Sequence, residues 1–305
     1  MGRRATLNAK KRNRRIVTIS IVAAIIAAIV VLILIVEASQ PPPSPFIGQA
    51  VSSTIMQQLT GVSDSTLKSV GLPTAVTAPT AISGTALTLN GKPEVLYIGG
   101  EFCPFCAIER WSMIIALSHF GNFSGLEYMQ SSSTDTNPNT PTFTFAGNAS
   151  VPFNFTSKYV AFVPVEEWDR SDAIRQTPTT SQQALYTQYG SCASTSQVGI
   201  PFIDVANSYV VNCGAQFSLP QIAGDNWTQV ASQLNTPSSA VAQGMDGAAN
   251  SLITAICKVD GEQPTSVCSQ SYATVTLAAV SAGAVSGQQN LALLPQVREE
   301  SRWTS

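Results

Sequence analysis

Cys103-Pro104-Phe105-Cys106 carries two thiols at a spacing where one sulfur can attack a disulfide and the other can take over the bond. The apolar run Val95-Leu96-Tyr97-Ile98 precedes the motif and suits a buried strand. Ile108, Trp111, Ile114, Ile115 and Leu117 follow it at helical spacing as far as Gly121. The pair is therefore expected where a strand turns into a helix. There the first cysteine meets unpaired N–H groups and the positive end of the helix dipole, which favour a thiolate. Pro104 fits the first helical turn, where a missing N–H costs nothing. Cys103 is predicted to be the nucleophile, more exposed and lower in pKa, and Cys106 the resolving thiol one turn deeper. Two other readings compete. A structural disulfide is the plainer one, although so small a ring staples little chain. Zinc asks for four ligands, and with His119 the only histidine and the other cysteines scattered, neither a metal nor a cofactor is expected.

Glu101 and Glu109 flank the motif and read as solvated charges at a helix start. His119 reads as a cationic cap at the helix end, and Trp111 as packing. Cys257 and Cys268 bracket a short polar loop between two helical segments and are candidates to pair. Cys192 and Cys213 flank the next apolar strand region and are candidates likewise. With Cys103–Cys106 this would use all six cysteines, as an oxidising exterior favours. Asn122, Asn148, Asn154 and Asn226 each open an Asn-x-Ser/Thr sequon and are candidate glycosylation sites.

The elements that carry these residues follow an anchor. Ile16 to Val36 is an unbroken apolar stretch, long enough as a helix to cross the hydrocarbon core and so to contact membrane lipid. It is longer than a signal-peptide core, although cleavage near Ala38 remains open. Of the 16 basic residues, seven lie in residues 1–15; the other nine stand against 18 acidic ones. That asymmetry predicts a single-pass cell-membrane protein with a cytoplasmic N-terminus and the main domain outside. The acidic remainder argues against nucleic acid as a partner. Pro41-Pro42-Pro43-Ser44-Pro45 is a semi-rigid spacer.

The chain divides into a basic tail (1–15), a transmembrane helix (16–36), a Pro-rich linker (37–45) and a helical then extended lead-in (46–90). A main domain (91–236) and a C-terminal helical extension and tail (237–305) complete it. Strands are expected at 159–165 and as a pair within 201–211. Helices are expected around 182–189, 227–234, 238–256 and 265–284, the apolar run Leu277–Val285 being buried. Residues 73–90 and 130–150 read as looped, polar stretches. The alternation of strands and helices gives an α/β class.

Val198-Gly199-Ile200-Pro201-Phe202 resembles the cis-proline turn that faces the disulfide in thioredoxin-like proteins. A backbone of this kind binds an extended substrate segment as an added strand, which makes Ile200 and Pro201 candidate substrate-binding residues. The run from Gly91-Lys92-Pro93 through Cys106 and Glu109-Arg110-Trp111 extends the likeness. So do Asn139-Thr140-Pro141-Thr142-Phe143-Thr144-Phe145 and Gly199-Ile200-Pro201-Phe202-Ile203-Asp204. Together they resemble a prokaryotic membrane-anchored family of unknown function with a thioredoxin-like core, over about residues 46–270. The resemblance implies a thioredoxin-like domain with a large insertion at about 128–190, and carries over Cys103, Cys106 and Pro201. The chain departs from ordinary thioredoxin in lacking Trp-Cys-Gly-Pro-Cys and any recognisable buried Asp or Lys pair behind the disulfide. The function expected is a thiol–disulfide oxidoreductase with protein thiols or disulfides as substrates and a membrane redox partner. The alternative is a non-catalytic binding or assembly module with a structural disulfide. Accessibility of the Cys103 sulfur separates the two, since a working nucleophile must be reachable.

Overall fold

Strand β3 (Lys92–Gly100) is the axis of the computed structural model. Its apolar run is continuous because both faces are covered, so alternate residues enter two different cores. Val95 and Tyr97 join the larger one, and Leu96 and Ile98 the smaller. The structure describes residues 2–39, 42–150, 152–192, 197–218, 222 and 224–277.

Ahead of β3 lie helix α1 (Gly2–Ser39), the short helices α2 (Ser53–Thr60) and α3 (Asp64–Val70), and the two-residue strands β1 (Thr80–Ala81) and β2 (Thr88–Leu89). Within α1 the segment Arg15–Ile35 is long and apolar enough to cross a membrane, and none of it is buried against the rest of the protein. Gly61 ends α2, as its lack of a side chain at that turn requires: a Cβ there would overlap the Gln57 carbonyl oxygen.

After β3 come α4 (Pro104–Ser118) and four short strands, β4 (Gly121–Ser124), β5 (Glu127–Gln130), β6 (Pro141–Thr144) and β7 (Asn154–Ser157). They pair as two antiparallel ribbons, β4 with β7 and β5 with β6. The β4–β7 ribbon places Phe123 and Phe155 against Phe145 and Phe162, an aromatic seam with ring centroids 4.8 to 6.3 Å apart. Strand β8 (Ala161–Trp168) then pairs parallel with β3, and α5 (Thr180–Tyr189) follows. Strands β9 (Phe202–Val205) and β10 (Tyr209–Val211) form a hairpin whose first strand lies antiparallel on the other edge of β3. The central order is thus β8–β3–β9–β10, extended by β1 beside β10, while β2 pairs with the first residues of β3.

On the large-core face α4 packs against β6 and against α7 (Ala240–Val259), with α6 (Trp227–Gln233) beside α7. Most of α7 is buried, so the segment expected as a C-terminal extension is part of the core. The smaller core lies on the opposite face and is closed by Tyr186 of α5. After α7 come the short α8 (Thr265–Cys268) and a single 3-10 turn, Ser271–Thr274. The expected helix over 265–284 is therefore interrupted, and most of it, with the Leu277–Val285 run, lies outside the described residues. The stretches 73–90 and 130–150, expected as loops, hold β1, β2 and β6.

Candidate functional site

The C-terminal end of β3 delivers the chain into α4, and the two cysteines stand at that junction. Cys103 is the N-cap: its backbone is extended (φ −76, ψ 122), and its sulfur accepts the Cys106 backbone N–H at 3.3 Å. Pro104 occupies the first helical turn, as expected. The Phe105 and Cys106 N–H groups and the Cys106 thiol all donate to the Cys103 sulfur. Led by the Cys106 thiol, these interactions pull the Cys103 pKa below its ordinary value against the opposing effect of burial. Burial pushes Cys106 well above its ordinary value. Both cysteines are unpaired with any other residue by a disulfide. Cys103 is 5% exposed and Cys106 is fully enclosed, so the nucleophile candidate is itself buried.

The surroundings of the pair come from far along the chain. Ile200 and Pro201 are joined by a cis peptide bond at the entry to β9. The Ile200 side chain lies against the end of β3: a Cβ on Gly100 would stand 3.4 Å from Ile200 Cδ1 and 2.8 Å from the Phe102 ring. The exposed Phe105 ring faces Gly214, at 3.9 Å from where a Cβ would be. Cys192 is bonded to Cys213 with Cα atoms 5.3 Å apart, so this disulfide lies one residue from the Phe105 contact. Tyr186 closes the opposite side. Its pKa is pushed up to about 12, first by burial and then by Glu167 and the two cysteines. Cys257 is bonded to Cys268, with Cα atoms 5.5 Å apart, remote from this site at the end of α7. Asn122, Asn148, Asn154 and Asn226 are all exposed, although the Asn226 side-chain Oδ1 caps α6 by accepting the Thr228 and Gln229 N–H groups.

The charged residues around the motif correct the sequence reading. Glu101 and Glu109 are not solvated; they are 1% and 0% exposed. Thr144 and Arg175 donate to Glu101, whose pKa burial raises. Glu109 Oε2 accepts the Gln216 backbone N–H, while burial pushes its pKa up to about 7. A buried charged pair does stand behind the cysteines. Arg110, one turn beyond Cys106, donates Nε and Nη2 to the two carboxylate oxygens of Glu166 on β8, at 2.9 and 2.6 Å. Arg110 Nη2 also donates to the Gly100 carbonyl at 2.9 Å. Its guanidinium lies 5.7 Å from the Tyr97 ring centroid. His119 is the C-cap of α4, but burial lowers its pKa, so the cationic cap is replaced by an imidazole packed on Tyr272. Trp111 is fully buried and donates Nε1 to the Pro141 carbonyl at 2.9 Å, a packing role as expected.

One sequence signal for the Arg110–Glu166 pair exists. Glu109-Arg110 interrupts an otherwise apolar helical stretch in a chain with only 11% charged residues, and such a charge is buried only with a partner. Residues 78–258, well over half of the chain, match the family described as domain of unknown function (DUF929). Comparison with the curated proteins and with the solved structures gives no match.

Proposed function

The chain belongs to this family, DUF929, and from that premise we propose that it is a membrane-anchored thiol–disulfide oxidoreductase with a thioredoxin-like core. It acts on protein disulfides or dithiols outside the cell. The observation that carries the reading is the unequal pair at the start of α4: one sulfur collects N–H donors at a helix N-terminus, while the other is enclosed one turn deeper. The central order β8–β3–β9–β10, with β8 parallel and β9 antiparallel to β3, supports the thioredoxin-like core. The cis Ile200–Pro201 bond beside the end of β3 supports substrate docking there. The apolar segment Arg15–Ile35 supports anchoring in lipid, and the basic residues ahead of it support a cytoplasmic N-terminus. A membrane redox partner is the natural source of recharging for a pair held beside the bilayer.

In the reducing direction the Cys103 thiolate attacks a substrate disulfide, one substrate sulfur leaves as thiolate, and Cys106 then attacks Cys103 Sγ to release the second; the oxidising direction is the reverse of these steps. Burial of Cys103 favours a second reading, a binding module whose cysteine pair is structural. Trapping decides between them. Cys106→Ser should accumulate mixed disulfides with partner proteins through Cys103, and Cys103→Ser should abolish them. If neither variant traps a partner, and alkylation of the reduced protein labels Cys106 before Cys103, the oxidoreductase reading fails.

A further inference from the structure

We propose that Arg110 is a positioning residue that biases the Cys103–Cys106 pair toward giving its disulfide away, making the protein an oxidant of substrate dithiols. The inference rests on the oxidoreductase reading and gives it a direction. On α4 the residues Cys103, Cys106 and Arg110 are three and then four positions apart, so they lie along one face of the helix. The Arg110 guanidinium is fully buried, and its Nη2 donates to the Gly100 carbonyl, the same oxygen that accepts the Cys103 backbone N–H at 3.3 Å. One arginine thus fixes the turn that holds Cys103 and sets a cation behind both sulfurs.

The remaining nitrogen points to the same role. Arg110 Nη1 is buried and donates to no group among the described residues, and Tyr97, whose ring lies by the guanidinium, has a hydroxyl equally without a partner among them. A purely structural ion pair would be expected to use its donors fully, since a buried donor left without a hydrogen bond is destabilising. The guanidinium, on the helix face that the two cysteines share, thus keeps donor capacity for added negative charge on that face. That charge exists only after reduction. In the oxidised protein the sulfurs are neutral, and in the reduced protein Cys103 carries a thiolate. A cation behind them therefore stabilises the reduced form selectively, which is the property of a disulfide donor. Arg110 lowers the pKa of both thiols in agreement with this placement.

A substrate thiolate attacks Cys103 Sγ of the Cys103–Cys106 disulfide, forming a substrate–Cys103 bond and breaking the Cys103–Cys106 bond, so Cys106 leaves as a thiolate and takes up a proton. A second substrate thiolate attacks the substrate sulfur of the mixed disulfide and expels Cys103 as the thiolate. The substrate dithiol loses two electrons and two protons. The cysteine pair gains the two electrons, Cys106 takes one proton, and the other goes to solvent.

Glu166 opposes Arg110, which supplies a test of sign as well as size. The full chain in detergent micelles is equilibrated with mixtures of reduced and oxidised glutathione, and the Cys103 pKa is followed by thiolate ultraviolet absorbance. Arg110→Met should raise the Cys103 pKa and weaken oxidising power about tenfold, a shift of about 30 mV for a two-electron couple. Glu166→Gln keeps the shape and the acceptor oxygen but frees the cation, so it should move both readouts the other way by about threefold or more. If Arg110→Met does not fold, Glu166→Gln decides alone. Exchange in the wild type with a Glu166→Gln pKa and equilibrium unchanged, or moved as in Arg110→Met, overturns the role of Arg110 and leaves the oxidoreductase standing. A wild-type pair that never equilibrates with glutathione overturns both.

Discussion

Replacing Asp246 with Asn should stabilise the protein at neutral pH and destabilise it by about 1–3 kcal/mol in acid, where only the cost of the buried amide remains. Asp246 lies within α7 with no exposed surface, and neither carboxylate oxygen has a hydrogen-bond partner among the described residues. Burial pushes its pKa from the ordinary 3.8 up to about 8. Between those values the folded protein keeps a proton that the unfolded chain has released, so stability falls as pH rises through the window. The full contribution is present below about pH 4 and is lost by about pH 8. Each pH unit is worth about 1.4 kcal/mol, so holding the proton at pH 7 costs on the order of 4 kcal/mol. Asparagine needs no proton, but its buried amide brings unpaired donors that cost about 1–3 kcal/mol. The net gain of Asp246→Asn at pH 7 is then on the order of 1–3 kcal/mol. The assay is urea unfolding of wild type and variant followed by tryptophan fluorescence at several values between pH 4 and 8. The stability difference should move in favour of the asparagine variant by about 1.4 kcal/mol per unit across that range, changing sign on the way. Parallel curves, with a constant offset at every pH, would refute the claim that Asp246 is held protonated.

The remaining expectations are simpler. The double variant Cys257→Ala/Cys268→Ala opens a short loop and should lower unfolding free energy by about 3 kcal/mol, read as a lower urea midpoint with little change in the exchange of Cys103 with glutathione. Loss of exchange there would mean that the end of α7 supports the cysteine site. Protease added to intact cells should degrade residues beyond the apolar helix, and complete protection would reverse the proposed orientation.

The junction of β3 and α4 was legible in the sequence because its signals are local. An apolar run, a proline at the first helical turn and a helical spacing all fall within residues 95–117. The buried charges were not, because what decides their burial lies elsewhere in the chain. Glu166 is 56 residues from Arg110, and Gln216 is 107 residues from Glu109. Local composition reads Glu101 and Glu109 as solvated, whereas the fold encloses them with partners. The β4–β7 ribbon was missed for a different reason. Asn122, Ser124, Asn154 and Thr156 face solvent and read as loop, and only Phe123 and Phe155 turn inward to reveal a strand period. The C-terminal end of the site, Ile200 and Pro201, was legible through resemblance rather than through any pattern of its own.

The position of β3 also bears on how the chain matures. Glu94 pairs with Ala161 and Val95 with Val205, so both neighbours of the central strand arrive long after it during synthesis. Until residues 161–205 follow, only the first residues of this apolar strand are paired, with β2, and its edges beyond them, leading to the cysteine turn, stay open. Non-local pairing of this kind folds slowly, and exposed edges invite association with other chains. If the chain is threaded outward as proposed, the late strands set the moment at which the thiols first become sheltered. Before that moment Cys103 and Cys106 are open to any oxidant or wandering thiol. The order of strands thus makes the early nascent chain a redox hazard, and truncation between β4 and β9 should yield products that crosslink to other proteins rather than merely unfold.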